Sequence, residues 1–136
     1  MGARRTIRAG PLLSESHARG GWCWGAFDGA TLVGAVFLGE TFLGPHADLL
    51  QLTWLHVSDS HRGQGLGTRL FERCAAEAAR RGARGLFVSS APSARTVDFY
   101  VARGCRLTRV PSEMAVLEPD DIPLTCRVPH AEFASR

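Results

Sequence analysis

Leu49-Leu50-Gln51-Leu52-Thr53-Trp54-Leu55-His56-Val57-Ser58-Asp59-Ser60-His61-Arg62-Gly63-Gln64-Gly65-Leu66-Gly67-Thr68-Arg69-Leu70 is the stretch on which the reading of this chain turns. Its first part is an apolar run bounded by turn signals, the pattern of a buried strand, and from Thr68 the apolar spacing becomes that of an amphipathic helix. Between them lies a short loop with glycine at 63, 65 and 67. Bare Cα positions let a ligand approach the main chain, so amide hydrogens at the start of the helix can converge on one bound anion where the helix dipole is positive. This is a phosphate cradle, yet neither common type fits. The P-loop needs Gly-Lys-Ser/Thr, and every one of the 16 basic residues here is arginine. The dinucleotide fingerprint needs Gly-x-Gly-x-x-Gly, whereas these glycines alternate.

Working outward, Arg62-Gly63-Gln64-Gly65-Leu66-Gly67 follows directly on the strand ending Leu55-His56-Val57. Downstream stands Ser93-Ala94-Arg95-Thr96-Val97-Asp98-Phe99-Tyr100-Val101-Ala102-Arg103-Gly104-Cys105. The first resembles the Arg/Gln-x-x-Gly-x-Gly signature of the GNAT acyltransferases, the family that binds acetyl-coenzyme A. The second is similar to that family's Asn-x-x-Ala-x-x-Phe-Tyr-x-x-x-Gly-Phe segment. Order and spacing both match, and the resemblance covers roughly Gly21 to Val128.

The resemblance implies an α/β fold: a mixed, mostly antiparallel central sheet with a splayed parallel strand pair and flanking helices, here with a shortened N-terminal portion. It implies transfer of an acetyl or short acyl group from acetyl-CoA, as cosubstrate, to a primary amine by direct attack in a ternary complex. The backbone of Leu55 and Val57, with His56 between them, would hold the pantetheine arm. Arg62, Gly63, Gln64, Gly65, Leu66, Gly67 and Thr68 would hold the pyrophosphate, and Ser93, Thr96 and Phe99 lie on the family's second cofactor-contacting segment. Tyr100 falls at the general-acid position, where a phenol can protonate the departing thiolate. Ser93 stands where many members have Asn, and Thr96 where they have Ala. Gln51 aligns with the glutamate base of histone-modifying members and cannot accept a proton, which leaves His56, His46, Glu40 or water relays as candidate bases. The acceptor is expected to be a small-molecule or peptide amine. The alternative is a non-catalytic coenzyme A sensor or scaffold.

Composition agrees with such a protein. A length of 136 residues with 45% hydrophobic and 21% charged residues suits one globular domain. We divide the chain into an N-terminal segment 1–20, a domain 21–130 and a tail 131–136. No apolar run reaches the roughly 18 residues of a membrane span, and no secretory apolar core follows Met1, so a cytoplasmic protein is expected. Cys23, Cys74, Cys105 and Cys126 are scattered, which argues against a zinc site and a disulfide framework and for small buried apolar residues. The net charge of +3 comes from dispersed arginines and suits an anionic cofactor; no basic cluster or reader motif points to nucleic acid.

The remaining elements follow in chain order. Pro11 to Arg19, closed by Gly20-Gly21, suits one short helix. Asp28-Gly29 between two β-prone runs predicts an antiparallel hairpin of Trp22–Phe27 and Thr31–Gly39. A helix to about Arg81 carries Leu66, Leu70, Cys74 and Ala78 on its core face, and Gly82 stops it. Gly85–Ser90 should then be a strand parallel to the central one. Ser93 should cap a second helix presenting Val97, Tyr100 and Val101 near one face. Cys105–Val110 and Ile122–Val128 should close the sheet, with Glu118-Pro119-Asp120-Asp121 a solvated loop rather than a metal site. His61 is expected to be an exposed charge beside the cradle, and Trp22, Trp24 and Trp54 to be core. The family's usual strand and two helices that wall the acceptor exceed the twenty residues before Gly21, which leaves an unusually open groove, completion by a second subunit or an internal start; of these a homodimer is expected.

Overall fold

Strand β4 (Leu49–Val57) forms the middle of a mixed sheet in the computed structural model, which describes residues 7–11 and 21–129. Around it the described residues form β1 (Ile7–Pro11), β2 (Trp22–Asp28), β3 (Thr31–Leu38), helix α1 (Leu66–Arg80), β5 (Gly85–Ser90), helix α2 (Ala94–Ala102), β6 (Arg106–Leu107) and β7 (Ile122–Arg127). The sheet order is β1-β2-β3-β4-β5-β7-β6. Among the described residues only β4 and β5 pair in parallel, as required when a helix carries the chain back between them. No helix is long and apolar enough to cross a membrane among the described residues.

The β2–β3 hairpin forms where the Asp-Gly signal stands, with Asp28 opposite Thr31 and Gly29 at φ 63°. Leu66, Leu70, Cys74 and Ala78 are buried along α1, as their spacing requires. Both helices end alike. Ala83 N–H bonds back to Ala78 C=O and Gly82 N–H to Ala79 C=O, and Cys105 and Gly104 repeat the pattern on Tyr100 and Val101. These are Schellman turns built on Gly82 and Gly104 in the left-handed region. Ser93 caps α2 by accepting the Thr96 N–H at 3.2 Å. All four cysteines are buried, and burial pushes the Cys74 thiol well above its ordinary pKa.

Several expectations are corrected. Pro11 closes a strand instead of opening a helix, because Ile7–Pro11 pairs antiparallel with β2 and Pro11 sits at its end, on the sheet edge. The rest of that expected helix lies outside the described residues. The inward residues of α2 are Tyr100 and, in part, Phe99, while Val101 is 51% exposed. β6 is two residues long, since Pro111 soon follows and only β7 borders it; residues 108–121 form a loop.

The sheet opens at one place. β4 and β5 pair from Leu49 opposite Gly85 to Leu52 opposite Val88 and no further. There β4 bulges: Trp54 pairs with Phe37 and Leu52 with Leu38, which leaves Thr53 as the extra residue. A bulge bends its strand and increases its twist, so the second half of β4 turns away from β5.

Candidate active site

Past the bulge, β4 keeps β3 on one edge and has no strand on the other. Ser58 N–H bonds to Val33 C=O on β3. Strand alternation then turns the main-chain groups of Val57 and Leu55 toward the opened edge. Arg62 reaches back to this edge, its Nε donating to Val57 C=O at 3.4 Å while a terminal nitrogen pairs with Asp59 at 3.1 Å.

After a single 3-10 turn, Asp59–His61, comes the glycine loop. Gly63 and Gly65 adopt φ 78° and 79°, where an L side chain is strained, and a Cβ on either would meet open space. Their role is conformational. Gly67 is different: a Cβ there would sit 3.1 Å from the Phe99 ring, so glycine at 67 lets α2 pack on the start of α1. Arg69 N–H to Gly65 C=O is the first rung of the α1 ladder, and no side chain caps the helix. The N–H groups of Leu66, Gly67 and Thr68 therefore precede the ladder, and no acidic residue sits in the first turn to neutralise them.

A cleft of about 330 Å³ joins these parts, lined by Leu55, His56, Val57, Arg62, Gly63, Gly65, Gly67, Thr68, Thr96, Phe99 and Tyr100. Gln64, Leu66 and Ser93 do not line it: Leu66 is core, and Ser93 is occupied as the α2 cap with its hydroxyl also donating to Thr96 Oγ1. Sequence reasoning passed over Arg95, which stands on the lining beside Thr96. Its signal was a cation one residue before Thr96.

His61 is the main correction at the site. It is 8% exposed, not a surface charge. Its Nε2 lies 3.0 Å from Asp28 Oδ2 and its Nδ1 2.8 Å from Ser60 Oγ. A carboxylate only accepts, so Nε2–H donates to Asp28, and in the neutral imidazole Nδ1 accepts from Ser60. The β2–β3 turn is thereby tied to the loop that carries the glycines. His61→Ala is expected to cost about 1.5–3 kcal/mol through the lost hydrogen bond to the Asp28 carboxylate, which ties the turn to the loop. A lower thermal midpoint, with weaker coenzyme A binding by calorimetry, checks this; an unchanged midpoint rejects it.

A second cleft, of about 480 Å³, shares Leu55, His56, Val57, Arg62, Thr96 and Tyr100 with the first and extends past Trp54, Ser89, Ser90, Val116, Glu118 and Asp121. Trp54 is 49% exposed here rather than core, because the bulge turns it away from the helices; its ring lies against His56 at 5.5 Å. Gln51 is buried, its amide bonding the Val116 C=O at 2.7 Å and N–H at 2.9 Å, and so holds the 108–121 loop over the sheet. Tyr100 stands where the clefts meet, 6% exposed and packed against Phe71 and Phe99. Burial pushes its phenol well above the ordinary value near 10, so it holds its proton throughout the neutral range.

The Acetyltransferase (GNAT) family model matches residues 4–105. The chain belongs to the GNAT acetyltransferase family. Solved structures carry the same fold at low identity. IAA acetyltransferase from Bacillus cereus ATCC 14579 is 18% identical, with a TM-score of 0.69 over 90% of this chain and 100% of that one. A GNAT acetyltransferase from Staphylococcus aureus Mu50 is 18% identical, with a TM-score of 0.69 over 83% of this chain and 71% of that one. PaiA N-acetyltransferase from Thermoplasma acidophilum, crystallised with coenzyme A, is 16% identical with a TM-score of 0.64 over 79% of this chain. This GNAT chain spans 60% of the PaiA length. No curated protein matches it at a significant level. The splayed β4–β5 pair and the mostly antiparallel sheet are those the family resemblance implied.

Proposed function

We propose that this GNAT domain transfers an acetyl or short acyl group from acetyl-coenzyme A to a primary amine by direct attack in a ternary complex. The observation that carries the reading is Tyr100 at the junction of two clefts, beside an opened strand edge. One cleft ends on uncapped helix N–H groups and is lined by Arg62 and Arg95, a donor set suited to a diphosphate. Leu55 and Val57 offer main-chain partners for an extended amide-bearing arm. That arm delivers the acyl group as a thioester.

In this reading a neutral amine enters from the second cleft and an N–C bond forms as the C–S bond breaks. A main-chain N–H at the end of β4 polarises the carbonyl. Tyr100 gives its proton to the departing sulfur and regains one from solvent, while the excess proton on nitrogen leaves through His56 or water. His56 is exposed on the rim shared by both clefts, within reach of solvent.

Release of free thiol from acetyl-coenzyme A in the presence of an amine library tests the proposal. Sustained turnover supports it; binding of the cofactor without turnover selects the sensor reading. We also propose that a second copy walls the acceptor side, supported by the exposed Val116 on the wall of the second cleft and Met114 two residues before it. Light scattering at micromolar concentration is expected to return twice the 14.7 kDa chain mass, and a single-chain mass rejects it.

A further inference from the structure

The two clefts differ in charge. Among the described residues, the cleft at the glycine loop is lined by Arg95, by Arg62 and His61, which pair with Asp59 and Asp28, and by no carboxylate side chain. The cleft beyond Tyr100 is lined by Glu118 and Asp121, and its one arginine, Arg62, is paired with Asp59. In a chain of net charge +3, the carboxylates that line a cleft wall at the opened strand edge are thus those of the cleft beyond Tyr100. Asp121 is held in place: its Oδ2 accepts the Ser89 hydroxyl at 2.5 Å and the Glu118 N–H at 3.2 Å, which leaves Oδ1 for a ligand. Glu118 is exposed on the same wall. The stacked Trp54 and His56 rings line the same cleft and give it a flat aromatic surface.

We propose that the acceptor is a small amine bearing a second cationic group, whose ammonium or guanidinium pairs with Glu118 and Asp121 while its carbon stem lies along Trp54. The proposal rests on the acyl-transfer reading for the reacting end, and on the charge of the second cleft for the other. The reacting nitrogen must be neutral to attack, so it cannot itself satisfy the carboxylates during the transfer. A second cation on the same molecule does so and fixes the distance from the carboxylates to the thioester. Cation–π attraction to Trp54 adds to this. An acceptor whose far end is a carboxylate would instead meet like charge.

Three probes of equal reach test it: 1,5-diaminopentane, pentylamine and 6-aminohexanoate. The diamine is expected to exceed pentylamine roughly tenfold in kcat/KM, the size of one half-buried charge pair, with 6-aminohexanoate lowest. Glu118→Gln, an exposed substitution that leaves the fold intact, should bring the diamine down toward pentylamine without moving the KM for acetyl-coenzyme A; Asp121→Asn should do the same. Equal use of the three probes, or a diamine preference unchanged in both variants, overturns the proposal. Calorimetry of the diamine against coenzyme A-saturated protein separates it from the activity reading. Carboxylate-dependent binding without turnover would end acyl transfer and keep the dication site. Turnover without diamine preference would do the reverse, and neither binding nor turnover would end both.

Discussion

Gly65→Val is expected to lower coenzyme A affinity roughly a hundredfold, a loss of about 3 kcal/mol. Gly65 holds φ 79°, a conformation that costs an L residue about 1–2 kcal/mol and a β-branched one more. The chain would relax toward negative φ and turn the N–H groups of Leu66, Gly67 and Thr68 away from their common focus. Each hydrogen bond to a charged group is worth about 1.5–3 kcal/mol, so misdirecting two of them accounts for the loss. Gly82→Ala is the control. Gly82 has φ 93° and open space around it but lies at the far end of α1. Both variants should lose thermal stability, and only Gly65→Val should lose affinity in a calorimetric titration. If Gly65→Val binds as the parent does, the cradle is not where the diphosphate sits.

Tyr100→Phe is expected to lower kcat by about a hundredfold, the lower range for removal of a general acid, with the KM for acetyl-coenzyme A unchanged. The ring contacts with Phe71 and Phe99 at 6.1 and 5.2 Å survive the substitution, so folding should be little affected. Burial raises the phenol pKa, so Tyr100 keeps its proton through the neutral range. A folded-state pKa above the unfolded value means that folding holds the proton more tightly. The stability so contributed is complete below about pH 10 and lost as pH rises past it. Chemical denaturation at pH 8 and pH 11 should show a larger drop for the parent than for Tyr100→Phe. A kcat unchanged across the pH range removes Tyr100 from the mechanism.

Much of the site is legible in the amino acids because its causes are local. Gly63, Gly65, Gly82 and Gly104 stand where the backbone takes positive φ, and Ser93 stands where a cap is needed. The α1 stripe is a matter of period alone. His61 was misread for the opposite reason: nothing near residue 61 announces an acceptor 33 residues earlier. Trp54 was misread because an apolar run gives no sign of the bulge at Thr53 that carries it to the surface. Val101 was misread because two helical faces of similar hydropathy compete over only nine residues.

From the amino acids alone came the order of elements from β2 onward, the antiparallel hairpin, the parallel crossover and the glycine loop, since turn chemistry, periodicity and short spacings are written within a few residues of one another; the role read for Tyr100 came with the family resemblance. Tertiary structure alone decided the Asp28–His61 tie, the Gln51 clasp on Val116, the break in pairing after Leu52 and the acidic character of the second cleft. These depend on register between distant segments, and register is set by how whole faces pack together rather than by any one segment's own preferences.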